Sequence, residues 1–148
     1  MHELLYFVHV TALTVWVGSL IATAWVSRAA LRAPEAGSRT WALDLVNRLT
    51  LRVVVPASLL VLLAGVSMVA ISGRTGSMRP LWLTIMEDIG GGMLILSLFV
   101  IPWLSRRIRR AAEDKEAVGK AVRAYVAGLF TLAAGVAGVL LAVSLRLA

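Results

Sequence analysis

The sequence predicts an all-α membrane protein, a polytopic four-helix bundle that fills residues 1–148 as a single domain. Three observations carry that reading. Of 148 residues, 59% are hydrophobic and only 16% charged, with mean hydropathy +0.86. Soluble domains average about 45–50% apolar and about 25% charged residues. The apolar residues fall into four long stretches, and the basic residues fall almost entirely into two of the connections between them. There is no cysteine, which excludes disulfides, thiolate zinc sites and iron–sulfur clusters.

The first apolar stretch runs over about residues 4–26, the second over 53–71, the third over 81–104 and the fourth over 125–145. Each is about 20 residues, enough for a hydrocarbon core of about 30 Å. The first carries its positive residues behind the apolar run, not ahead of it, so it reads as a retained helix and not a signal peptide. Spans two and three are joined by a Gly/Ser-rich hairpin at 72–80. The other connections read as helical. Trp41, Leu45, Leu49 and Val53 recur at i+4, with Asp44 and Arg48 placed to pair, and Glu116 and Lys120 repeat that spacing. Ser38 or Thr40 is placed to cap the helix entering span two. Pro56, one turn into that span, predicts a kink.

Lysine and arginine set the orientation. Twelve of the fifteen flank spans one and three at their far ends: Arg28, Arg32, Arg39, Arg48, Arg52, Arg106, Arg107, Arg109, Arg110, Lys115, Lys120 and Arg123. Only Arg74, Arg79 and Arg146 lie on the other side. The positive-inside rule then places both termini outside and both basic connections in the cytoplasm of a multi-pass inner-membrane protein. The +7 net charge is explained by topology and by attraction to anionic lipid headgroups, with no nucleic acid involved. Trp25, Trp41, Trp103 and Tyr125 near one boundary, and Tyr6 and Trp82 near the other, form an interfacial belt. Trp16 falls near the membrane centre instead.

Small residues suggest how the spans pack. Ala124, Gly128, Thr131, Gly135, Gly138 and Ala142 repeat at heptad-like spacing, a seam that lets a neighbouring backbone approach, within the bundle or across a homodimer or larger complex. Gly90, Gly91 and Gly92 cost helix propensity and require something against that backbone, either a neighbouring helix or a flat ligand.

The residues able to carry chemistry are ionisable groups inside the spans, each expensive unless paired or hydrated. His9 lies about 8 Å below the outer boundary, and Glu87 and Asp88 reach similar depth in span three. Together they predict one polar site in the outer half. His2, His9 and Trp16 recur every seven residues on one face of span one. His2, Met86 and Met93 are candidate accessory ligands, since imidazole and thioether groups suit copper, while imidazole with carboxylates suits Cu(II), zinc or iron. The alternative use of His9 is as axial ligand to haem b, with Trp16 and the glycine run as packing surfaces and Met86, Met93 or a histidine of another protomer as second ligand. A third reading makes the polar trio an internal hydrogen-bond cluster of a structural or assembly subunit. No nucleophile–base pair, phosphate loop or HExxH is present, so no catalytic residue is assigned.

The opening Leu4-Leu5-Tyr6-Phe7-Val8-His9-Val10 with Trp16-Val17-Gly18, and the later Pro102-Trp103-Leu104-Ser105-Arg106-Arg107 before a charged loop, resemble the CopD-type membrane proteins. The chain is also similar to small four-helix bacterial membrane proteins with the same opening. That resemblance implies copper binding or transport at His9. More distantly, His9 seven residues before Trp16 is similar to the first helix of the HemJ-type protoporphyrinogen oxidases, which implies a haem ligand at His9. That family's third-helix lysine has no counterpart in residues 81–104.

Overall fold

Each apolar stretch forms the middle of a longer helix. The computed structural model describes residues 2–72 and 81–145, without the side chains of His2 and Trp82; the hairpin at 73–80 therefore lies outside the described residues. Helix α1 spans His2–Arg32. Helix α2 (Ala36–Leu49) runs through a π turn at Thr50–Val54 into α3 (Val55–Ser72). Helix α4 (Leu81–Ile85) runs through a second π turn at Met86–Gly90 into α5 (Gly91–Arg110), and α6 spans Lys115–Ser144. Among the described residues there is no strand. The four rods are long and apolar enough to cross a membrane. At 1.5 Å per residue, α1 and α6 measure about 45 Å, so they overhang a hydrocarbon core, and they do so at the arginine-rich end.

The reversal between α1 and α2 takes only residues 33–35, earlier than the capping residues suggest. Glu35 holds the cap position in extended conformation; its carboxylate caps no backbone N–H and instead accepts from Ser38 Oγ at 3.4 Å. Ser38 and Thr40 lie inside the first turns, and Thr40 Oγ1 donates back to the Ala36 carbonyl at 3.0 Å. With Pro34 ending α1, helical geometry resumes at once, so neither hydroxyl is needed as a cap. The Asp44–Arg48 and Glu116–Lys120 pairs form, at 2.8 and 2.7 Å. At the start of α6, Asp114 accepts the Glu116 and Ala117 N–H groups at 2.8 and 3.1 Å. The Ala117 bond first and the Glu116 bond second hold its carboxyl below the usual carboxylate range.

Pro56 does not break its helix. It lacks the N–H that would bond the Arg52 carbonyl and its ring crowds that carbonyl. The chain meets both demands with the wider π turn at Thr50–Val54, immediately upstream.

Helices neighbouring in sequence are neighbours in space, and α6 closes the ring against α1. The core is densest toward the arginine-rich end, where Leu43, Val46, Ile108, Val118 and Val122 are fully buried. Tyr125 is also fully buried there, which removes it from the interfacial belt. Its hydroxyl and Thr50 Oγ1 lie 2.8 Å apart, so the polar tip is satisfied inside the bundle. Trp25, Trp41 and Trp103 are exposed, as a belt requires. The seam on α6 divides. Gly128 packs on Leu104 and Ile101, and Gly135 faces the end of Met93, while Ala124, Thr131 and Gly138 are exposed on the outside.

Candidate functional site

Toward the His9 end the four rods stand around a half-open cavity of about 460 Å³. Its walls are His9, Leu13 and Trp16 of α1; residues between Val61 and Ala70 of α3; Met86, Glu87, Gly90, Gly91 and Leu94 of the third rod; and Val136, Val139, Leu140 and Val143 of α6. The lining is overwhelmingly apolar, with polarity at His9, Glu87 and the Trp16 indole. A water molecule's share of liquid volume is about 30 Å³, so the space exceeds a single hydrated ion and falls in the range of small-molecule sites, about 300–1,000 Å³.

His9 is held by backbone. Its Nδ1 lies 3.0 Å from the Val61 carbonyl oxygen. A carbonyl can only accept, so Nδ1 carries the hydrogen, and in the neutral ring Nε2 keeps its lone pair. Gly65 permits the approach. A Cβ there would stand 3.3 Å from His9 Cε1 and 3.6 Å from Nδ1, so a side chain at 65 would make the ring give by a few tenths of an ångström against its bond to the carbonyl one turn earlier. An imidazole with Nδ1 bonded to backbone is the arrangement that orients Nε2 as a ligand.

Trp16, 1% exposed, forms the floor. Its Nε1 donates to Ser97 Oγ at 3.0 Å, tying α1 to α5 across the bundle. Beyond it toward the arginine-rich end lie Leu20, Val54, Ile101 and Leu129, all fully buried, so the cavity is closed on that side.

The third rod supplies the remaining wall through its π turn. Met86 and Glu87 line the cavity. Asp88 does not: it is exposed, because consecutive residues on a helix point to different faces. Met93 turns toward Gly135 instead of the cavity. The side chain of His2 lies outside the described residues. The expected trio is therefore brought together only in part, His9 with Glu87, and with Met86 and Trp16 on adjoining walls. Among the described residues no group of three His, Asp or Glu side chains is placed to hold a metal ion. The glycine run also divides. Gly90 comes within reach of Val139, whereas nothing stands within 4 Å of a Cβ at Gly91 or Gly92. Gly91 leaves open cavity space, so a neighbouring helix does not account for the whole run.

The site depends on three residues that carry no motif. Gly65, Ser97 and the Val61 carbonyl act by position, and the only signals they give are a small residue on an apolar face and a lone buried hydroxyl.

Compared with known proteins, the chain matches no family model, no curated protein and no solved structure.

Proposed function

We propose that this chain is a membrane-embedded haem-binding protein of the b type, with His9 as an iron ligand in the cavity at the His9 end. The observation that carries the reading is an imidazole held through Nδ1 on the Val61 carbonyl beside an apolar space of about 460 Å³. The residues present fit a flat apolar cofactor. Gly90 and Gly91 remove side chains from one wall, Trp16 provides an aromatic floor, and Leu13, Val61, Leu94 and Val139 exclude water. Met86, on an adjoining wall, would be a second residue able to hold the iron through its thioether. The cofactor supplies one-electron exchange. The protein's part is to hold and orient it and to keep its surroundings dry. The likeness of His9 and Trp16 to the HemJ-type first helix supports the reading, and the charge asymmetry supports placing this end outside the cell.

A second reading has one specific observation behind it. Met86 and Glu87 line the same cavity as His9, and imidazole, thioether and carboxylate together suit copper, in keeping with the CopD-type resemblance. The size and lining of the cavity favour the larger ligand.

The test is a spectrum of detergent-purified protein from haem-replete cells, with elemental analysis of the same sample. A Soret band lost in His9→Ala is the expected result. Stoichiometric copper with no Soret band moves the assignment to the metal, and a sample carrying neither overturns both.

A further inference from the structure

A separate feature lies on the outside of the bundle, at the arginine-rich end of α5. Leu96, Phe99, Trp103, Arg106, Arg107 and Arg110 all fall within about 100° of arc on that helix, and all are exposed. The order along the axis is strict, with aliphatic and aromatic groups first and three guanidinium groups last. Leu96 to Arg106 is about 15 Å, half the thickness of a hydrocarbon core of about 30 Å. Such a face matches one leaflet, with acyl chain along Leu96 and Phe99, the glycerol level at Trp103 and the headgroup at the arginines.

The charges on this face are not consumed by the protein. Arg109, on the other side of α5, reaches Asp44 at 3.8 Å, and Asp44 also holds Arg48. Among the described residues Arg106, Arg107 and Arg110 have no acidic partner within 4 Å. The Arg107 guanidinium lies over the exposed Trp103 ring, 5.7 Å from its centroid. That contact holds the cation at the interfacial level and leaves its edge N–H donors free. Of the three acids that follow, Asp114 is engaged with the first N–H groups of α6 and Glu116 with Lys120, and Glu113 makes no ion pair with these arginines.

We infer that this face is a binding site for an anionic phospholipid, whose phosphate is held by Arg106, Arg107 and Arg110 while its chain lies on Phe99 and Leu96. The site is independent of the cavity and of whichever ligand the cavity takes. Guanidinium groups suit it because they pair with phosphate oxygens through two parallel N–H groups.

The experiment is native mass spectrometry of delipidated full-length protein in detergent, titrated with phosphatidylglycerol, with phosphatidylcholine of the same chains, and with inorganic phosphate. Phosphatidylglycerol is expected to bind at least tenfold tighter than phosphatidylcholine, and phosphate alone not to bind. Near a surface each basic residue contributes roughly a fivefold gain for anionic lipid. The Arg106→Gln, Arg107→Gln, Arg110→Gln triple variant therefore loses about a hundredfold, and the matching triple lysine variant, which keeps the charge but not the paired N–H groups, falls between that and wild type. If the triple glutamine chain does not fold, the single Arg110→Gln variant decides by a loss of about fivefold. Equal binding of the two lipids, or glutamine variants that bind as well as wild type, overturns the site. Binding of phosphate as tight as that of the lipid reassigns it to a free anion and overturns it as a lipid site.

Discussion

On the arginine-rich side of Trp16 the rods are locked together by large buried side chains, and on the His9 side they stand around a cavity. Leu20, Leu43, Val46, Val54, Ile101, Ile108, Val118, Val122, Tyr125 and Leu129, all fully buried, lie on the first side. Beyond Trp16 the buried apolar groups are mostly small or less completely covered: Ala12, Val61, Ala64, Leu83 and Leu94. Polar groups follow the same division. Thr50 with Tyr125, and Ser105 with the Asn47 side chain at 3.1 Å, satisfy each other in the packed half. In the cavity half, His9 takes a backbone carbonyl and leaves its second nitrogen available. One half is packed throughout, and the other leaves a cavity.

The largest expected effect tests the scaffold. Ile108→Ala leaves a void in a fully packed layer and lowers unfolding free energy by about 2–5 kcal/mol. Leu13→Ala, on the cavity wall, is expected to cost less than half as much in the same denaturation experiment. Equal losses would erase the distinction between the halves.

Next comes Tyr125→Phe, which removes a buried hydroxyl bonded to both Thr50 and Thr23 and costs about 1–2 kcal/mol. Thr50 Oγ1 keeps the Val46 carbonyl at 2.8 Å, so nothing is stranded. A loss several times larger in thermal unfolding would mean that the hydroxyl organises more than these two threonines.

Two glycines sharpen the comparison in opposite directions. Gly92→Ala meets open space on a helix and is expected to raise stability by about 0.5–1 kcal/mol. Gly65→Ala presses on the His9 ring, so its effect falls on ligand affinity more than on melting temperature. If Gly65→Ala leaves the absorption spectrum of haemin-titrated protein unchanged, the backbone bond is not what orients the imidazole.

The smallest effect is set by pH. Asp114 titrates below the usual carboxylate range because the Ala117 and Glu116 N–H groups stabilise its anion. That stabilisation is complete above the ordinary carboxylate value of about 3.9 and fades as pH falls through the depressed one. Asp114→Asn keeps the cap but removes this dependence, so melting curves of the two chains should converge in acid. A constant difference from pH 7 down to pH 3 would contradict it.

Hydropathy and charge make the spans legible, because a membrane core tolerates little else. The overhanging helix of α2 is legible in Trp41, Leu45 and Leu49, and its ion pair in Asp44 and Arg48. The packing is less legible. Tyr125 reads as an interfacial aromatic until Thr50 is seen beside it, and Glu87 and Asp88 read as a pair until the helix turns one of them outward. The grip on His9 is hidden for a physical reason. Its partner is the main chain of Val61, which every residue type possesses, and its enabling residue is one glycine among twelve. The π turns are hidden because they answer local backbone conflicts, such as the missing N–H of Pro56, that allow more than one solution.

The central claim, that the His9 half holds a flat apolar ligand on a self-sufficient scaffold, is tested most directly by haemin titration of three purified chains. These are wild type, His9→Ala and Gly91→Leu, the last filling the cavity from a position with open space before it. The account predicts a saturating Soret band for wild type only, with all three chains melting within a few degrees of one another. Titration curves that coincide across the three chains would contradict it.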